Sequence, residues 1–288
     1  MTTFLNKCAF LLQEYGVSYL RGAGTTLLLA LVGTLAGCLI GFAVGTLQTI
    51  PIDPYRDPLY KRIPLRALRV LLRCYVELFR GTPMMIQAVF IYYGLMQVFN
   101  IHLEMWTAGF LIVSINTGAY MAETVRGGIV SIDPGQTEGA MSIGMTHWQT
   151  MLHVIMPQAL RNIVPQIGNN FIINIKDTSV MFVITFVEFF AFHRYIVGIN
   201  LMYFPSATIE MVGYLTLTLV SSFILRWLEK RLDGADSYEL AQADQLTMAA
   251  GTYSHPNRGT PFDELSKEKQ EQNKKSRRNR NSSTRGEL

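Results

Sequence analysis

Charge is scarce in this sequence. Asp, Glu, Lys and Arg make up 16% of its 288 residues, against about 25% in soluble globular proteins. Between Thr82 and Val125 there is no Lys or Arg at all. The three cysteines, Cys8, Cys38 and Cys74, form no CxxC pair and no even set, so neither a disulfide framework nor a zinc site is indicated. His102, His147, His153, His193 and His255 lack any HExxH or Cys-coupled spacing, which leaves no metal site to propose. Ser114 and Ser142 have no nucleophile-elbow glycines around them, and no enzyme site emerges. No Lys follows a Gly, which excludes a phosphate-binding P-loop. Basic residues interleaved with aromatics, as nucleic acid would require, are missing too.

What is present is apolar: 49% of the residues are hydrophobic, arranged in long runs. A bilayer core of about 30 Å takes roughly 20 apolar residues as a helix. Residues 25–50 carry no charge and predict a first span. Residues 84–99, continuing the amphipathic 67–80, predict a second, and 105–122 a third. A fourth, non-uniform span joins 168–175 to 182–192 across Lys176 and Asp177, and 206–227 forms the fifth. The fold class expected is all-α membrane protein with about five transmembrane helices.

Loop charges orient these spans, because Lys and Arg accumulate on the cytoplasmic side. The loop after the first span holds Arg56, Lys61, Arg62, Arg66, Arg69 and Arg73 and is assigned inside. Alternation then puts the N-terminus outside, the long loop with Arg126 and Arg161 inside, and the C-terminus inside. Residues 1–23 are read as an N-terminal extracytoplasmic segment without a cleaved signal, 24–232 as the membrane domain, and 233–288 as a disordered basic cytoplasmic tail. Lys274, Lys275, Arg277, Arg278 and Arg280 make that tail able to meet anionic headgroups. Within the first span, Gly33, Gly37, Gly41 and Gly45 recur every four residues, marking a helix face that admits a close neighbour.

The loop of residues 126–160 is too polar to cross a bilayer and too patterned for a linker. Asp133, Pro134 and Gly135 signal a capped helix start, predicting a short helix over 136–141. Gly144 breaks the pattern, Thr146 caps a second segment over 148–155, and Pro157 is expected to end it. Ala140, Met141, Ile143, Trp148, Met151 and Leu152 offer an apolar surface.

That arrangement resembles the EAA loop of ABC importer permeases: Glu-Ala-Ala, three residues, Gly, nine residues, Ile, one residue, Leu-Pro. Glu138, Gly139, Ala140, Gly144, Val154, Met156 and Pro157 stand at those places, with Gly139, Val154 and Met156 as departures. YVELFRGTP from Tyr75, IYYG from Ile91 and NTGAYMAETVRGGIVSIDPGQ from Asn116 look like the polar amino acid branch (histidine, glutamine, arginine type) of these permeases. The resemblance runs from about residue 22 to 231 and implies a type I ABC importer permease fold with a coupling helix. It implies an assembly with two ATP-binding subunits, a second permease copy or paralogue and an extracytoplasmic solute-binding protein, in the inner or plasma membrane. No cofactor is then expected on this chain, ATP being used by the partner. The docking residues so implied are Glu138, Gly139, Ala140, Gly144, Met145, Trp148 and Pro157.

An amino acid solute needs donors and acceptors on facing helices, and Gln87, Asn116, Glu123 and Asp177 are the candidates. Glu77 and Arg80, three residues apart, are placed to pair on one face. A permease for an opine or amino acid derivative, or a non-ABC membrane scaffold, are the competing readings.

Overall fold

A computed structural model describes residues 2–51 and 58–232; the tail of residues 233–288 lies outside the described residues. All regular elements among the described residues are helical. The first, α1 (Thr2–Thr49), has 48 residues, about 72 Å at 1.5 Å per residue. No break occurs at residue 24, so residues 2–23 continue the first span as one rod. α2 (Leu59–Gly81), α3 (Met84–Phe99) and α4 (Met105–Val130) follow, then the short α5 (Pro134–Ser142) and α6 (His147–Thr150). A π-helical turn (Met151–Ile155) leads into α7 (Met156–Asp177), a 3₁₀ segment (Thr178–Ile184), α8 (Phe189–Asn200) and α9 (Tyr203–Leu232).

Two helices, those of residues 3–49 and 203–228, are each long and apolar enough to cross a membrane, and two bent pairs reach that length together. The expected second span is one of these pairs. α2 and α3 meet at 115°, because Thr82 precedes Pro83 and adopts an extended φ of −122°, the region a pre-proline residue prefers. The expected fourth span is the other, bent by 52°. There the 3₁₀ segment ends at Thr185, whose φ is +63°, and Glu188 caps a new helix.

α4 sits at the centre, with Ile112, Val113, Ala119, Met121, Ala122 and Val125 buried. The four-residue glycine stripe of α1 faces a four-residue stripe on α4. A Cβ on Gly33 would lie 2.9 Å from Val113 Cβ, one on Gly37 2.6 Å from Thr117 Cβ, one on Gly41 2.8 Å from the Met121 backbone, and one on Gly45 2.8 Å from Val125 Cβ. Only glycine lets the two backbones approach so closely. Numbers rise together along both stripes, so α1 and α4 are parallel. α7 runs against α4: Asn174 donates to Thr117 at 3.0 Å and Asn170 lies beside Met121 at 3.3 Å.

Candidate docking loop and polar sites

Each predicted break in the 126–160 loop has a physical cause in the structure. The Asp133 carboxylate accepts from Gly135 N–H at 2.8 Å and opens α5, with Pro134 at its first turn. α5 ends in two backbone bonds, Gly144 N–H to Met141 C=O at 3.0 Å and Met145 N–H to Ala140 C=O at 3.2 Å. This is a Schellman closure with a left-handed residue after the cap. Gly144 supplies it with φ of +87°, a conformation that costs other residues roughly 1–2 kcal/mol. Thr146 and Gln149 then form a reciprocal capping box that starts α6.

The segment does not end at Pro157. Proline has no N–H for the carbonyl four residues back and its ring crowds that carbonyl. The helix widens instead, with Met156 N–H bonding to Met151 C=O five residues back, and α7 continues to Asp177. Gln158 Nε2 donates to Gln136 Oε1 at 3.3 Å, and Asn162 Nδ2 to Ser131 Oγ at 3.2 Å. Ala140, Thr150, Met151 and Ile155 are buried beneath. The loop is therefore a folded knob fixed to α7 at several points.

The knob's outer surface is apolar: Ile143 is 79% exposed and Trp148 60%, with Met141 and Leu152 also exposed. Glu138, Gly139 and Pro157 are exposed beside them, Met145 is half-buried, and Ala140 faces inward.

The four polar candidates do not converge on one point. Gln87 and Asn116 are buried and meet: Asn116 Nδ2 donates to Gln87 Oε1 at 2.8 Å. Gln87 Nε2 donates to the carbonyls of Phe79 and Thr82, each at 2.9 Å, so this pair satisfies the C-terminal end of α2 at its corner with α3. Glu123 accepts from both forks of Arg126 and lines a cavity of about 700 Å³ with Arg69, Arg73, Glu77, Arg80 and Arg126. Asp177 is exposed at the last residue of α7, next to exposed Lys176. Glu77 and Arg80 do not pair; Arg80 lies over the Tyr120 ring, 5.7 Å from its centroid.

Two buried polar clusters go beyond what the sequence announces. Asn174 Nδ2 donates to Thr34 Oγ1 at 2.8 Å and to Thr117 Oγ1 at 3.0 Å, tying α7 to α1 and α4. Glu188 is fully buried and accepts from Phe190 N–H at 3.0 Å, Ala191 N–H at 2.8 Å, Tyr214 O–H at 3.0 Å and Thr26 O–H at 3.2 Å. Beside it, Ser206 Oγ lies 2.9 Å from both Tyr19 Oη and His193 Nδ1, and His193 lies 3.2 Å from Glu210. The cue that the sequence does hold is a lone carboxylate in each of two apolar runs.

Residues 62–234 match the family described as binding-protein-dependent transport system inner membrane component. The chain belongs to this family. The glutamine transport system permease protein GlnP of Escherichia coli (strain K12) is 36% identical over 214 residues, 74% of this chain and 92% of that protein. The L-cystine transport system permease protein TcyB of Bacillus subtilis is 38% identical over 174 residues, 59% of this chain and 72% of that protein. Among solved structures, an amino acid ABC transporter crystallised with histidines matches with a TM-score of 0.68 and 33% identity, over 77% of this chain and 97% of that one. An inward-facing MetNI methionine ABC transporter shares the fold, with a TM-score of 0.59 at 19% identity, over 76% and 96% of the two chains. The all-helical architecture is thus that of a type I ABC importer permease, an inner membrane component.

Proposed function

We propose that this chain is the permease subunit of an ABC importer that carries a polar amino acid handed over by an extracytoplasmic solute-binding protein. The observation that carries this reading is the knob of α5 and α6, rigidly capped at both breaks and apolar on its outer face. A partner protein can push on such an element without unfolding it. The partner is an ATP-binding subunit, present twice beside two permeases, and ATP is bound there rather than on this chain. Closure of the ATPase pair on ATP drives the permeases between inward-facing and outward-facing arrangements. The knob and the C-terminus face the cytoplasm and the N-terminus faces outward, in keeping with the basic residues of the loops.

The amino acid class rests on the relatives' names, glutamine and L-cystine permeases. Gln87, Asn116, Glu123 and Asp177 are proposed as separate points along the solute pathway rather than as one site.

The test is co-purification of the full chain with its ATPase, comparing Ile143→Asp and Trp148→Asp with wild type. Loss of the ATPase from variants that still elute monodisperse supports the docking surface; full retention with intact uptake overturns it. Alanine at each of the four polar positions, with docking preserved, should change uptake affinity or specificity at one or more. Unchanged values at all four would remove the solute assignment. Stimulation of ATPase activity by binding protein loaded with an amino acid, but not by one loaded with an opine, separates the two solute classes.

A further inference from the structure

We infer that the cavity between α2, α4 and the docking loop is a binding site for a phosphate group. Its lining holds four guanidiniums, Arg69, Arg73 and Arg80 from α2 and Arg126 from α4, against two carboxylates, Glu77 and Glu123. Glu123 is already engaged by Arg126, so the cavity keeps an excess of two positive charges facing one space. None of Arg69, Arg73 and Arg80 has a carboxylate within ion-pair distance among the described residues. Among the described residues the Nε of Arg69, buried from solvent, has no hydrogen-bond partner, so this guanidinium is not held by a protein acceptor. Planar guanidinium forks match the oxygens of phosphate two at a time. A phosphodiester headgroup offsets one of the two excess charges and a soluble phosphate monoester up to both, and a volume of about 700 Å³ leaves room for the group it is attached to.

The walls suggest what a bound phosphate does. α2 contributes three of the arginines from one face, while Ile63, Val70, Leu71 and Leu78 on its outer surface are exposed and apolar. A phospholipid headgroup can therefore reach the site with its chains along α2, and a small soluble phosphate can reach it directly. Thr137, Met141 and His147 of the docking loop line the same cavity, so an occupant touches both α2 and the knob. The inference does not depend on which solute is transported.

The test measures retention of radiolabelled phosphatidylglycerol by the detergent-purified complex, with inorganic pyrophosphate as competitor. The R69Q/R73Q double variant should retain it about tenfold less tightly, given about 1.4 kcal/mol per factor of ten. Arg66→Gln, at an exposed α2 arginine that does not line the cavity, should match wild type. Elution volume and melting temperature confirm that each variant is folded. Displacement of the lipid by pyrophosphate assigns a site open to soluble phosphates, and resistance to displacement assigns a headgroup site. Equal loss in Arg66→Gln and the double variant, or no loss in the double variant, overturns the inference, as does failure of wild type to bind either probe.

Discussion

Asn116 on α4 donates its side-chain amide to Gln87 on α3 at 2.8 Å, and Gln87 in turn closes the last carbonyls of α2. One pair of uncharged side chains thus fixes the 115° corner between two helices. Asn116→Ala and Gln87→Ala should each lower stability by about 1–3 kcal/mol, the cost of leaving a buried polar group unmet. The double variant should cost less than the sum, with a coupling of about 0.5–3 kcal/mol. Thermal unfolding of the detergent-solubilised chain measures all three; strict additivity would show that the pair acts independently.

The glycines of α1 are not equivalent. Gly41→Val should destabilise by about 1–3 kcal/mol or more through overpacking, because its new Cβ meets the Met121 backbone. Gly24→Ala, with nothing within 4 Å, should be neutral or stabilise by up to about 1 kcal/mol from helix propensity. Melting temperatures of the two variants, made in the same background, check the contrast.

At Gly144 the limitation is backbone conformation rather than space, since a Cβ added there would meet no atom within 4 Å. Gly144→Asn should therefore be tolerated better than Gly144→Ala, and both better than Gly144→Val, because Asn enters the left-handed region most readily. The readout is protease resistance of the loop together with retained ATPase in a pull-down. An order in which Val equals Asn would refute the conformational account.

Glu188 serves four donors at once. Glu188→Ala strands the Phe190 and Ala191 N–H groups and the Tyr214 hydroxyl, and should cost several times as much as Tyr214→Phe, which removes one bond worth about 1 kcal/mol. Tryptophan-monitored unfolding of both variants gives the ratio; similar losses would mean that the cap is supplied elsewhere.

The apolar runs and the loop punctuation were legible because their causes are local. Asp133, Gly144 and Thr146 each act on a backbone group within three or four residues, and the four-residue glycine stripe announces a close neighbour without naming it. The bends were not legible. Pro83 was visible, but an apolar count passes over it, and at Pro157 the helix had a third option, widening by one residue. The partners of Glu188 and Asn174 are 162 and 140 residues away at Thr26 and Thr34. No window of sequence contains both ends. Chemistry alone singles out the candidate polar residues, and it does not say that Gln87 and Asn116 face each other while Glu123 turns to Arg126.

The matched stripes on α1 and α4 also have a mechanical meaning. Two rods meshed at a common four-residue pitch resist sliding by anything less than one tooth, about 6 Å at 1.5 Å per residue. A thrust applied at the foot of α4, where the knob begins, would therefore carry α1 along as a single strut, because the interlocked residues leave no slack between the two helices.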